Sequence, residues 1–143
     1  MLKIALATLA FVAHSLAFAQ ATPVGLWKTI DDDGKTEKSL VRISETGGVL
    51  SGRIEKLLDP HDKSDDVCDK CPDERKGKPI VGLTILRNLK KGDDEWYEGG
   101  DVTDPKNGKV YRAKVRTLEG GKQLQMRGYI GPFFRTQTWI RVE

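Results

Sequence analysis

The sequence is poor in the groups that do chemistry. It has two histidines, His14 and His61, and two cysteines, Cys68 and Cys71. A serine or cysteine nucleophile needs a base that a third group holds in place. Past the N-terminal segment only His61 is left for that part, and it stands beside Pro60 in a polar stretch, the setting of a surface residue. No glycine-rich stretch follows a strand pattern and opens a helix, so nothing supports nucleotide use. Carboxylates are plentiful, but most fall in turns, at Asp31 to Asp33, Asp93 to Glu95 and Asp104, where turn chemistry accounts for them. The chain reads as a non-enzyme with no cofactor and no metal.

Charge of one sign is lacking as well. Lys and Arg number 24 against 21 Asp and Glu, a formal net charge of +3, and the two signs are mixed along the chain. That balance gives no general reason to expect nucleic acid or an anionic membrane as a partner. The chain also has no apolar run of the roughly 18 residues that spanning a bilayer requires. Nor has it a convincing 3.6-residue amphipathic repeat, which argues against helices.

What is present begins with an export pattern over residues 1–19. Lys3 is followed by Ile4 to Val12, apolar except for Thr8, and then by Ala17-Phe18-Ala19, the small-x-small pattern read by signal peptidase. Ala19-Gln20-Ala21 has the same pattern, so cleavage after residue 21 is the alternative. His14 and Ser15 interrupt the apolar run, which argues against a membrane anchor, and the absence of Cys at the cut argues against a lipid anchor. Residues 20–143 are then one domain's worth of chain, in a periplasmic or secreted protein. In that compartment an even cysteine count points to a disulfide.

The rest of the chain alternates like strands and is punctuated by turns. Residues 25–30, 40–44 and 49–54 read as a three-stranded meander, with Asp33-Gly34 and Gly47-Gly48 at the turns. Ile54, Leu57 and Leu58 share one side of a helical turn, so a short helix is expected before Asp59. Residues 59–79 form a long polar loop, either functional or stapled. Strands resume over 80–86, 96–102, 110–118, 124–130 and 136–142. Gly99-Gly100 suggests a bulge, and Asn107-Gly108 is a strong hairpin signal. About eight short antiparallel strands make an all-β domain, and closing them into a barrel removes both sheet edges. Two packed sheets are the alternative.

Several residues could carry function. Cys68 and Cys71 form a C-x-x-C in a polar loop with no βαβ unit around it, so a plain disulfide outranks a redox pair. His61, Asp62, Asp65, Asp66 and Asp69 lie near the cysteines, but structural zinc usually takes four N or S ligands and only three are at hand. Trp27, Trp96, Trp139, Tyr111 and Tyr129 spread over five predicted strands and are core first, though such rings also wall apolar pockets. At eight strands a barrel is either filled by side chains or holds one small ligand.

Seven motifs add a resemblance. They are Gly25-x-Trp27-x-Thr29, Cys68-x-x-Cys71, Lys78-Pro79-Ile80-x-Gly82, Trp96-x-x-Gly99-Gly100, Asp104-Pro105-x-x-Gly108-Lys109-x-Tyr111, Arg127-Gly128-Tyr129-Ile130-Gly131 and Arg135-Thr136-Gln137-Thr138-Trp139-x-Arg141. With them the chain, from about Pro23 to Glu143, resembles a bacterial family of small exported proteins, the domain-of-unknown-function 2147 family. Leu83 stands where that family usually has Met, a conservative exchange. The resemblance implies a lipocalin-like β-barrel in the periplasm or outside the cell, and no established activity. Gly25-x-Trp27 also looks like the lipocalin signature, in which an Arg near the last strand packs across the Trp. Arg141 is the first candidate for that Arg and Arg135 the second. An inward Arg141 turns Gln137 and Trp139 inward too and Ile140 outward, so a bulge, or a loop over Ile140, is expected.

Three functions compete at this point. The first is a binder of a small hydrophobic molecule, walled by Trp27, Tyr111, Met126, Trp139 and the 80–86 segment. The second is an envelope interaction protein with a filled barrel. The third is an enzyme working through Cys68, Cys71 and His61.

Overall fold

A computed structural model describes residues 22–143 and, before them, Ala10 alone; the export segment 1–19 and both cleavage points lie outside the described residues. Eight antiparallel strands follow one another around a closed barrel. They are β1 (Gly25–Ile30), β2 (Glu37–Thr46), β3 (Val49–Leu57), β4 (Thr84–Lys91), β5 (Tyr97–Thr103), β6 (Val110–Leu118), β7 (Gln123–Ile130) and β8 (Phe133–Arg141). Closure is made by β8 pairing with β1, Trp27 opposite Arg141 and Lys28 opposite Ile140. Every strand thus has two neighbours, and no sheet edge is left to recruit another chain.

Strand alternation sets the core. Val41 and Ile43 of β2, Ala113 and Val115 of β6, and Leu124 and Met126 of β7 all point inward and are buried. Their neighbours Arg42, Arg112, Lys114 and Arg127 point outward, which accounts for a charged outer wall around an apolar interior.

The structure departs from the sequence reading in four places. Residues 54–58 form no helix; Ile54 and Leu57 continue β3, where Ile54 is buried against the core. The run 80–83 is not strand. It is a turn in which Leu83 N–H bonds Ile80 O, fixed to β3 by Gly82 N–H to Ile54 O and Ile54 N–H to Leu83 O. Ile80 and Leu83 are nevertheless buried, so their apolar character reflects a loop anchored into the core. The strand itself begins at Thr84 and continues to Lys91, past the expected end at residue 86. Finally, β8 keeps an unbroken register with β7, and Ile140 is simply 38% exposed; neither a bulge nor a covering loop is needed.

The long loop between β3 and β4 is stapled. A disulfide joins Cys68 to Cys71, and both are buried. Cys68 N–H bonds Lys78 O, and Gly77 N–H bonds Cys68 O. Arg75, buried, pairs with Asp73 at 2.7 Å and donates to Thr84 O, tying the loop to the start of β4. Arg87 of β4 reaches the same carboxylate at 3.0 Å. Asp73, paired first with Arg75, is held well below the usual carboxylate range.

A cavity at one end of the barrel

The two ends of the barrel differ. One end carries the N-terminal approach to β1, the β2–β3, β4–β5 and β6–β7 turns, and the C-terminus. There Trp27 is fully buried and its indole N–H donates to Pro23 O at 2.8 Å. The Arg141 guanidinium lies 4.3 Å from the Trp27 ring centre. It donates to Gly121 O at 2.5 Å, Val24 O at 2.9 Å and Thr22 O at 2.6 Å. Burial lowers the pKa of Arg141, but a guanidinium stays charged far above neutrality. Gly25 fits this plug because a Cβ there would stand 2.5 Å from Arg141 Nη1, and its φ of +144° is one that side chains rarely adopt. Arg135 has no part in it; it pairs with Asp32 at 3.0 Å near the other end.

The other end is hollow. A cavity of about 330 Å³ reaches from Trp139 and Met126 in the interior out to Asp32, Lys106, Asn107 and Arg135 at the surface. Its walls include Ile54 and Leu57 of β3, Ile80 of the long loop, Ile85 of β4, Val102 of β5 and Tyr111 of β6. Gly128 of β7 faces in as well, and a Cβ there would meet only ordinary contacts, with Val102 at 3.7 Å and Tyr111 at 3.8 Å. The barrel is therefore packed at one end and open at the other.

Polar groups gather toward the mouth. Trp139 Nε1 donates to Gln137 Oε1 at 2.9 Å, and Gln137 Nε2 donates to Asp32 Oδ1 at 2.8 Å. Thr29 and Ser39 share a buried hydroxyl–hydroxyl bond of 2.8 Å. The buried Thr103 hydroxyl has no hydrogen-bond partner among the described residues. On the loop side, Asp59 accepts from Lys38 at 2.7 Å and from the His61 backbone and ring at 3.0 Å and 2.9 Å. Lys106 reaches Asp62 at 3.5 Å. These donors, Lys38 first, keep Asp59 ionised to well below its ordinary pKa.

The structure brings together only part of the set singled out by sequence. Tyr111, Met126 and Trp139 line the cavity, and Trp27 does not, because it plugs the opposite end. Of the 80–86 segment, Ile80 and Ile85 contribute. Trp96 precedes β5 and is buried on the outside of the barrel, beneath Lys114, Arg116 and Arg127. His61 is 91% exposed and bonded to Asp59, which removes it from any enclosed site. The cysteine sulfurs are bonded to each other and are not thiolate ligands. Ile54, Leu57, Val102, Thr103 and Gly128 were not singled out as cavity residues from the sequence. Alternation along each strand gives their faces, but only the strand register puts them at one depth.

Comparison with known proteins bears on this architecture. The family model described as "Uncharacterized protein conserved in bacteria (DUF2147)" matches residues 25–141. Among solved structures the chain is similar to protein HP1028 from Helicobacter pylori, described as belonging to the lipocalin family. The TM-score is 0.72 at 20% identity, over 86% of this chain and 84% of that one. At that identity the likeness establishes the fold, a lipocalin-like barrel. No curated protein matches the sequence.

Proposed function

The chain belongs to the DUF2147 family of bacterial proteins, and from that premise we propose that it is an exported, non-enzymatic, lipocalin-like binder of a small hydrophobic molecule. One observation carries the reading: an interior cavity of about 330 Å³ that combines apolar walls, among them Ile54, Ile85, Val102 and Met126, with an equally large set of polar and charged lining residues. That is the build of a small-molecule site, at the small end of the usual size range. The Trp139–Gln137–Asp32 chain and the lysines at the rim suit a ligand with an apolar body and a polar end left near solvent. Work in the periplasm or outside the cell is supported by the pattern in residues 1–19 and by a disulfide-tied loop.

The test is titration of residues 20–143, which contain all eight strands, with an apolar naphthalene dye whose emission rises on desolvation. Saturable binding at one site is expected, with quenching of Trp139. Gly128→Leu puts a side chain into the cavity and is expected to weaken binding at least tenfold while the urea midpoint holds. Equal binding by the two proteins would sink the reading.

A further inference from the structure

The exposed apolar residues of the barrel are not scattered evenly. Ile130, Phe133 and Phe134 are 50%, 74% and 52% exposed, and they flank the two-residue Gly131-Pro132 turn that joins β7 to β8. Ile130 pairs with Phe133 across the ladder, and Tyr129 pairs with Phe134 with their rings 5.8 Å apart. Single exposed hydrophobics are ordinary; a contiguous group at the tip of a hairpin marks a contact surface.

Cations stand directly behind this tip, on the outer face of β6 and β7. Arg127 lies 4.7 Å from the Phe134 ring and 5.0 Å from that of Trp96. Arg112 lies 5.6 Å from the Tyr129 ring, and Lys114 lies 4.4 Å from Trp96. Among the described residues these three form no ion pair, whereas neighbouring Arg116 is paired with Glu95. The three face aromatic rings and solvent; Asp101, opposite Arg112 across the ladder, lies 3.7 Å from Arg87, and Glu98 shares a groove with Arg112 and Lys114. Of the acids lining the mouth, Asp32 and Asp62 are paired with Arg135 and Lys106, as Asp59 beside it is with Lys38, while Asp31 and Asp104 form no ion pair among the described residues.

We propose that the β7–β8 hairpin tip and the adjoining basic, aromatic face of β6 and β7 dock the barrel onto an anionic lipid bilayer. Phe133, Phe134 and Ile130 enter the boundary between headgroups and acyl chains, while Arg112, Lys114 and Arg127 meet the anionic headgroups. Each cation near such a surface contributes about fivefold in affinity, and apolar side chains add to it by burial. Ile130 and Arg135 also line the cavity, so docking in this way turns the cavity mouth toward the lipid. The docking goes beyond the binding function and stands without it. If the binding function also holds, the geometry lets an apolar ligand pass between bilayer and cavity without crossing water.

The experiment is flotation of residues 20–143 with vesicles of phosphatidylglycerol and phosphatidylcholine, or of phosphatidylcholine alone. Binding is expected to the anionic vesicles at low salt, at least tenfold weaker to the neutral ones, and lost at 500 mM salt, where the Debye length has fallen to about 4 Å. Phe133→Ser/Phe134→Ser changes only exposed side chains and is expected to weaken binding at least tenfold with an unchanged circular dichroism spectrum. Lys114→Glu is expected to act in the same direction. Protein that stays unbound at low salt, or a double variant that floats like the parent, overturns the proposal. So does a concentration-dependent dimer, without flotation, that the double variant abolishes, since it assigns the tip to a second copy. Gly128→Leu separates the two readings: it is expected to lose dye binding and to float unchanged.

Discussion

The two ends of this barrel are built from the same alternation and come out opposite. At the plugged end Trp27 fills the interior and Arg141 closes it, its donors spent on three backbone carbonyls. At the open end the inward positions hold Gly128, Thr103, Ser39 and Thr29, and the space they leave remains empty. An eight-stranded barrel is close to the width that side chains can just fill. Whether it is solid or hollow therefore depends on the size of a handful of residues at each level. The plugged end is where stability is concentrated, and the open end is where it is given up for a cavity.

The sharpest way to break this contrast is Trp27→Ala. It removes a fully buried ring and leaves the Arg141 guanidinium with nothing beneath it, and a loss of about 4 kcal/mol is expected from urea unfolding. Ligand binding should then fail only as far as the fold does. Next in size is Asp73→Asn, which takes the charge partner from the buried Arg75. Asp73 is itself partly exposed and the Thr84 carbonyl bond stays, so the cost is expected at about 2 kcal/mol, below that of a fully buried pair. Proteolysis should reveal it first, as cleavage within 58–83.

Acid should act on the same loop. Asp59 and Asp73 both have folded pKa values below their ordinary value, so the stability they contribute is fully present above about pH 4. It is lost as pH falls through the folded values. Loop protection followed by amide exchange is expected to be flat from pH 7 to about 5 and to fall below 4, while the Trp27–Arg141 pair, whose guanidinium bonds backbone carbonyls, holds. Loss of both ends together would show that they are one cooperative unit.

The smallest effects are expected at the open end. Gly128→Leu should change stability by less than about 1 kcal/mol, since the new side chain enters empty space and its backbone position is ordinary strand. Thr103→Val replaces a buried hydroxyl that lacks a partner with a methyl group of the same shape, and a gain of up to about 1 kcal/mol is expected. A destabilised Thr103→Val protein would mean that this hydroxyl has a partner in solution.

Much of the barrel was legible because strand periodicity and turn chemistry are local. Asp33, whose carboxylate accepts the Thr36 hydroxyl and then the Thr36 and Lys35 N–H groups and is held at about pKa 2, makes a turn readable from four residues. The inward set Tyr111, Ala113 and Val115 follows from alternation alone. Apolar content without alternation misled. Ile80 to Leu83 resembles a buried strand and is a loop anchor, because burial can be satisfied by a turn whose N–H groups bond β3. Ile54 to Leu58 has helical spacing, yet its backbone pairs with β2. The site was less legible than the fold. Met126, Tyr111 and Trp139 could be picked as large inward residues, but Trp27 meets the same description and lies at the far end.

By itself, then, the sequence determined an all-β chain of about eight strands and pointed to a disulfide in its long loop, since both depend on neighbours in sequence, while the Arg141–Trp27 pair was reached only through resemblance to the lipocalin signature. Only the tertiary structure decided that the barrel is hollow at one end, because depth in a barrel is set by register between strands distant in the chain. It also sorted a nearly neutral sequence into a rim of mixed charge around the cavity and a basic, aromatic patch on the outer face of β6 and β7. Charges mixed along a chain are separated once alternation and closure send them to different sides of the same wall.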